Sequence, residues 1–432
     1  MTDASLLRVI FPIGGEAKRF QPLAATISKS CVRMLNRPMI EFSMESLSRQ
    51  GVRNFIFGVK GYLNYRSLFD YFKEGVGFSV RHNLQPRAHV KYQPNIEDVG
   101  SADSVRINLD YYDIKDAIFV VQGDNIFDID LASVLKFHEE KDALMTIGLA
   151  PVDRTEEYGV ADIDSDFRVK RFVEKPPTDK APTKLANTGL YLISPKIREV
   201  YDEPKVREMI RRGRLDFGMD MIPYLVEQQY PVCGYPMSGT WFDVGTPERY
   251  LDAMVKILHG QLRTISEFEG RIDQTKNIFL QGTSIEALAR KKELTERLRQ
   301  KAINFDGAVL VGRHTSVGLG SRLIDANVDN FVILGEGVHV ERSAILDRAY
   351  VGDGAFIQDS IISRHSYVNS SKTEPSRLTA NSIVGDDVRV GEGCHLVSTK
   401  IWPGLEIPPR SELFRSEIRN KTQLEEALRS KK

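Results

Sequence analysis

Cysteine is scarce, neither sign of charge is in excess, and no long apolar run occurs; each lack closes off a class of protein. The three cysteines, Cys31, Cys233 and Cys394, lie far apart, which excludes a disulfide framework and a cysteine-rich metal centre. Basic and acidic residues balance at 59 each, so bulk electrostatic binding of nucleic acid or of an anionic membrane is excluded and only a local patch is left open. No stretch reaches the ~20 apolar residues a membrane span needs. Met1 to Leu7 lacks a charged start followed by an apolar segment of signal-peptide length. The expectation is a cytoplasmic protein with no nucleic-acid or membrane partner.

The 432 residues are 27% charged and 41% hydrophobic, a globular composition long enough for two domains. From Leu6 to about His259, apolar strands alternate with helical segments. Leu7 to Pro12, Phe55 to Val59 and Ala117 to Val121 read as buried strands, and Met39 to Gln50 reads as a helix. This alternation predicts a mostly parallel, Rossmann-like α/β sheet whose ligands bind at the carboxyl ends of its strands. Gly14-Gly15 and Gly123-Asp124 follow two of those ends.

A charged helix is expected from about Ser284 to Ile303. Beyond it the pattern changes. Val311, Val328, Ile345 and Ile362 recur at a constant interval of seventeen residues, and so do Val384 and Ile401. Between and after them stand Val317, Leu323, Leu334, Val340, Val351, Ile357, Val368, Val390, Leu396 and Ile407, about six residues apart within each coil, with glycine behind many of these aliphatics. Three short strands per coil at this period predict a left-handed parallel β-helix of hexapeptide repeats. The interval from Ile362 to Val384 is five residues too long, and Asn369 to Ala380 is the segment that would hold the insert. The domains expected are 1–260, a helical connector 261–304, the β-helix 305–410, and a tail 411–432 with a helix opened by a Thr422 to Glu425 capping box.

Several residues of the first half suit anionic ligands. Gly14 and Gly15 allow backbone N–H groups to approach phosphate oxygens, with Arg19 and Lys29 as counter-charges. The same pattern also fits a solvated turn. Asp124 and Asp243 could hold a hard cation, or could each be a turn aspartate. Lys175 could meet an anionic substrate or stay solvated.

The order of the motifs is more informative than any one of them. Gly14-Gly15, Arg19, Ser28-Lys29, Gln93-Pro94, Gly100-Ser101-Ala102, Gly123-Asp124-Asn125, Tyr158-Gly159-Val160, Glu174-Lys175-Pro176, Asn187-Thr188-Gly189 and Trp241-Phe242-Asp243-Val244-Gly245 occur in the sequence of one family. Over about residues 6 to 255 the chain resembles the sugar-1-phosphate nucleotidylyltransferases, the group of glucose-1-phosphate thymidylyltransferase and mannose-1-phosphate guanylyltransferase. The longer members carry a β-helix as well.

The resemblance implies attack of a sugar phosphate oxygen on the α-phosphorus of a nucleoside triphosphate. Gly14 and Gly15 would hold the nucleotide, Arg19 the leaving pyrophosphate, and Lys29 the phosphates at the reacting centre. Asp124 and Asp243 would bind Mg²⁺, with Asp124 also at the nucleotide. Lys175 would neutralise the sugar phosphate, and Gly159, Glu174 and Gly189 would line the sugar pocket. Gln93, with Gly100 beside it, would read a pyrimidine, so dTTP or UTP with glucose 1-phosphate is favoured over GTP with mannose 1-phosphate.

The loop departs from the family pattern, since Ala17 stands where a glycine is usual. That departure keeps a non-catalytic regulatory homologue in view. An acetyltransferase β-helix is another alternative, with His314, His339, His365 and His395 as its available bases. Homo-oligomerisation through the β-helix is expected.

Overall fold

The computed structural model describes residues 4–94, 97–272 and 277–429; Met1 to Asp3 of the N-terminal stretch read above lie outside them. The chain divides into two compact units. One comprises residues 1–16 and 39–243, and the other comprises Ala17–Pro38 with Val244–Lys432.

The first unit is built on a nine-stranded sheet. Arg8–Ile13 lies between Asn54–Val59 and Ile118–Val121, parallel to both, and His89–Pro94 adds a fourth parallel strand at the edge. Val9, Ile10 and Phe11 are wholly buried, as expected of a central parallel strand covered on both faces.

The parallel run is interrupted after Ile118–Val121, earlier than the sequence suggests, although Val232–Pro236 again pairs parallel with Met145–Pro151 further along the sheet. Leu185–Ile193 runs antiparallel to Ile118–Val121 and to Met145–Pro151. Gly159–Ile163 and Val169–Glu174 form a hairpin, closed where Asp164 Oδ1 accepts from the backbone of Asp166 and Arg168 at 2.9 Å each. A connection this short cannot make a parallel crossover, and short strands without intervening helices hide that from a reading of periodicity.

A buried charge cluster pins the first long helix, Met39–Arg49. Glu41 is 1% exposed and meets His82 Nε2 at 2.8 Å and Arg81 Nε at 3.1 Å. Burial pushes the Glu41 carboxyl up, but the His82 hydrogen bond and the Arg81 charge outweigh it and bring it down to about 2. Burial pushes the His82 imidazole down, but Glu41 and Glu45 outweigh that and raise it above 6.5. The lowered acid stabilises the fold above pH 4.5 and loses that contribution towards pH 2. The raised imidazole stabilises below pH 6.5 and loses its contribution as the pH climbs through its folded value. Urea midpoints of the wild type are therefore expected to fall from pH 6.5 to 9, and those of His82→Ala to fall less. Parallel profiles would show that the imidazole contributes nothing.

In the second unit the interval of seventeen becomes a stack of coils. Val311, Val328, Ile345, Ile362, Val384 and Ile401 form one buried column, Val317 to Ile407 a second, and Leu323 to Leu396 a third. Each coil turns its corners through left-handed residues. His314, Phe331, Arg348, His365 and Asp387 (φ 58–60°) with Gly404 make one such file. Gly318 is a glycine because a Cβ there would stand 2.3 Å from the Gly335 carbonyl of the next coil. The insert is divided. Phe356 pairs with Arg377, leaving four extra residues before Leu378, and Ile361 pairs with Ile383, adding one more at Ala380-Asn381, both left-handed.

The ladder also runs past residue 410. Glu412–Phe414 and Glu417–Ile418 continue it, with Leu413 and Ile418 facing inwards. The tail helix is Lys421–Arg429, and its cap is Asn420, whose Oδ1 accepts from Gln423 N at 3.0 Å, in place of the Thr422 box. Of the four histidines, His314 and His365 occupy corners, whereas His339 and His395 lie in strands. His339 stacks on Phe356 and pairs with Glu341.

Candidate active site

Three motifs of the first unit converge on Asn125. The strand Asn125–Phe127 pairs antiparallel with Trp241–Asp243, placing Asp243 opposite Asn125 and one residue from Asp124. The Asn125 amide donates to the Thr188 carbonyl at 2.6 Å and accepts from Trp241 Nε1 at 3.2 Å. Ser43 Oγ binds its backbone carbonyl from below. Gly189 follows Thr188 in a left-handed conformation (φ 75°), and a Cβ there would lie 2.7 Å from Gln122 Cγ and 2.9 Å from Asn125 Nδ2. One buried amide thus fixes two carboxylate-bearing segments and the Gly189 turn together.

A cavity of about 430 Å³ opens at the carboxyl ends of the parallel strands. Its wall includes Gly14 and Gly15 after the first strand, Lys60 after the second, Gly100 and Ser101 at a helix start, and Gln122. Nothing stands within 4 Å of a Cβ built on Gly15, so this backbone faces open space. The helix Ser101–Tyr111 presents its first turn to the cavity through Ser101 and Ser104. That turn is fixed by the Leu215 carbonyl, which accepts from Ala102 N at 3.1 Å and Asp103 N at 3.2 Å. Asp98 is buried beside Lys60, with 3.3 Å between their charged atoms.

Gly159, Glu174 and Lys175 form a third group. A Cβ on Gly159 would meet Glu174 Oε2 at 2.6 Å, and one on Gly218 would meet it at 2.7 Å. Two glycines therefore make room for this one carboxylate. Burial raises the Glu174 carboxyl above its ordinary value, Lys175 at 3.4 Å opposes that, and Asp216 adds to it. A half-buried acid with room around it is suited to hydrogen-bonding hydroxyl groups.

The structure thus brings Gly14, Gly15 and Gly100 to one cavity, Asp124 and Asp243 to one strand pair, and Gly159, Glu174 and Lys175 to one corner. Gln93 pairs with Gly58 near the end of its strand and is not among the residues lining the cavity. Arg19 and Lys29 belong to the second unit. Lys29 Nζ stands 5.3 Å over the buried Phe20 ring, and Phe20 packs edge-on against Tyr250. Ala17 is left-handed (φ 50°, ψ 37°), the conformation that a glycine would adopt without strain. Sequence reasoning missed Lys60, Asp98, Gln122, Asn125 and Asp216. Asn125 stood inside a recognised motif, and Lys60 directly follows a strand; the others carried no local signal.

Residues 9–260 match the family model described as nucleotidyl transferase, and residues 305–416 match that of the GMPPB C-terminal domain. Among curated proteins, a UTP–glucose-1-phosphate uridylyltransferase of a Synechocystis species is 26% identical over 82% of this chain and 87% of that protein. A mannose-1-phosphate guanyltransferase of Candida albicans is 26% identical over 93% of this chain and 97% of that protein. A glucose-1-phosphate adenylyltransferase of Bacillus cytotoxicus is 22% identical over 81% and 93%.

Proposed function

Because the chain belongs to the nucleotidyl transferase family, we propose that it transfers a nucleotidyl group from a nucleoside triphosphate to a sugar 1-phosphate. The observation that carries this reading is the Asn125 junction, which sets Asp124, in the turn before its strand, beside Asp243 on the adjoining strand. A phosphate oxygen of the sugar 1-phosphate forms a new bond to the α-phosphorus as the bond to pyrophosphate breaks. No covalent intermediate with the protein is required, so the residues act by position and charge.

Gly14 and Gly15 hold phosphate oxygens with backbone donors. Arg19 and Lys29 neutralise the triphosphate, Lys175 faces the sugar phosphate, and Glu174 accepts from sugar hydroxyls. Two carboxylates with room for phosphate oxygens and water suit Mg²⁺, which keeps much of its hydration when protein-bound. Asp124 and Asp243 would hold it, and the ion would supply charge neutralisation between phosphates.

For specificity, the reading is dTTP or UTP with glucose 1-phosphate. Its support is the uridylyltransferase relative; the Gln93 amide, which would offer a donor and an acceptor to a pyrimidine edge, lies outside the cavity wall described above. A second reading, GTP with mannose 1-phosphate, is favoured by the C-terminal family match and by the Candida relative's coverage of both chains. Pyrophosphate release, measured for every pairing of five triphosphates with glucose, mannose and hexosamine 1-phosphates, separates them. Turnover with a pyrimidine nucleotide alone supports the first reading, and turnover with GTP alone the second. Silence across all pairings would leave a regulatory homologue as the better account.

A further inference from the structure

The segment Ala17–Pro38 has little structure of its own. It contains two single 3₁₀ turns, Lys18–Phe20 and Lys29–Cys31, and a two-residue strand pair. Four side-chain contacts tie it to the rest of the second unit. Thr26 Oγ1 donates to Asp386 Oδ2 at 2.8 Å, and Arg33 Nε donates to Asp329 Oδ2 at 3.4 Å. Asn36 Nδ2 donates to Gln281 Oε1 at 2.6 Å, and the hydroxyl of Tyr250 donates to the Arg33 carbonyl at 2.5 Å. Asp329 and Asp386 are residues of the β-helix coils.

Asp329 is the informative member. Its side chain has no solvent exposure, Arg33 supplies a counter-charge, and Asn327 Nδ2 donates to its other oxygen at 3.1 Å. Residues at the equivalent point of the other coils are Gly312, Leu346, Ser363, Gly385 and Trp402. The coil therefore turns at this point without a carboxylate in every other repeat. A buried charge is costly unless paired, so the acid is explained by Arg33 and not by the β-helix.

We propose that the β-helix is the positioning element for the triphosphate-binding segment. Asp329 acts through Arg33, and Asp386 acts through Thr26, to fix where the segment presents Arg19 and Lys29. This rests on the reading of Arg19 and Lys29 as triphosphate groups. A segment with only two 3₁₀ turns and a two-residue strand pair gains from such anchors, because charges that neutralise a leaving group act well only when held in place beforehand.

The test uses full-length protein, with the triphosphate and sugar 1-phosphate that release pyrophosphate fastest. Asp329→Asn, Asp386→Asn and Thr26→Val are compared with wild type for both KM values, kcat and melting temperature. The expected result is a rise of about tenfold in KM for the triphosphate, with KM for the sugar phosphate unchanged. Arg33→Lys should recover part of what Arg33→Met loses. Should Asp329→Asn lower the melting temperature, Thr26→Val, at a more exposed contact, decides the matter, because Asp386 also pairs with Arg364 at 2.6 Å. Equal changes in both KM values, or wild-type kinetics in Thr26→Val, would overturn the proposal. Lys29→Ala separates the two layers: if it leaves triphosphate kinetics unchanged, the site reading has failed; if it is crippled while the anchor variants are not, only the positioning role has failed.

Discussion

Asp124→Asn and Asp243→Asn are each expected to lower kcat for pyrophosphate release by about a hundredfold or more. Asparagine keeps the size of the side chain and removes the charge, so the loss reports on electrostatics and not on packing. Both positions are partly solvent-exposed, and the strand pair that carries Asp243 and follows Asp124 is held by Trp241 and Asn125. Melting temperatures should therefore stay near the wild-type value. Raising Mg²⁺ should restore part of the activity, because a site with one carboxylate left still binds the ion more weakly. Wild-type rates in either variant would sink the assignment of that residue to the metal. By contrast, Asn125→Ala is expected to cost both activity and stability, since the Thr188 carbonyl and the Trp241 indole lose their shared partner.

Gly100→Ala should be the most damaging single methyl in the first unit's cavity wall. The residue stands at φ 153°, ψ 175°, a region open almost only to glycine. A Cβ would also come within 2.4 Å of the Leu215 carbonyl oxygen, which is the group that caps the helix Ser101–Tyr111. Strain and displacement together should cost about 2–4 kcal/mol of unfolding free energy. The helix start should shift with it, raising KM for the triphosphate. Gly15→Ala is the control, because open space surrounds its Cβ; it should leave the urea midpoint unchanged. Equal midpoints for the two variants would show that the Leu215 contact is not the constraint inferred.

These two sites also mark how far the sequence could be read. Asp124 and Asp243 were legible because each sits in a short motif at a strand end. Their proximity was not, since it depends on an asparagine pairing across a separation of more than a hundred residues. Gly100 was legible as a motif residue, but the carbonyl that makes glycine necessary comes from Leu215, in a segment without any pattern. The β-helix was the most readable part, because a repeat writes the same packing requirement many times. Its insert was misjudged only in detail: Leu378 keeps its inward place while one surplus residue is absorbed at Asn381. The attachment of Ala17–Pro38 to the second unit left no local trace at all. The partners named above, from Tyr250 to Asp386, are far along the chain, and nothing in the sequence links them to it.

The coils of the β-helix are open-ended in principle, since every coil offers unpaired backbone to the next. In this chain both ends are stoppered. At one end Leu294 of the helix Ile285–Arg299 joins the same core as Ile278 and Leu280, and Arg297 donates to the Val317 carbonyl at 2.7 Å. At the other, Leu424 is buried in the core with Ile418, and Ala427 and Leu428 pack against it. Amphipathic plugs of this kind forbid end-to-end growth. A chain stopped before Lys421 would carry a naked templating edge, and light scattering should show it assembling into filaments or aggregates where the full-length protein stays dispersed.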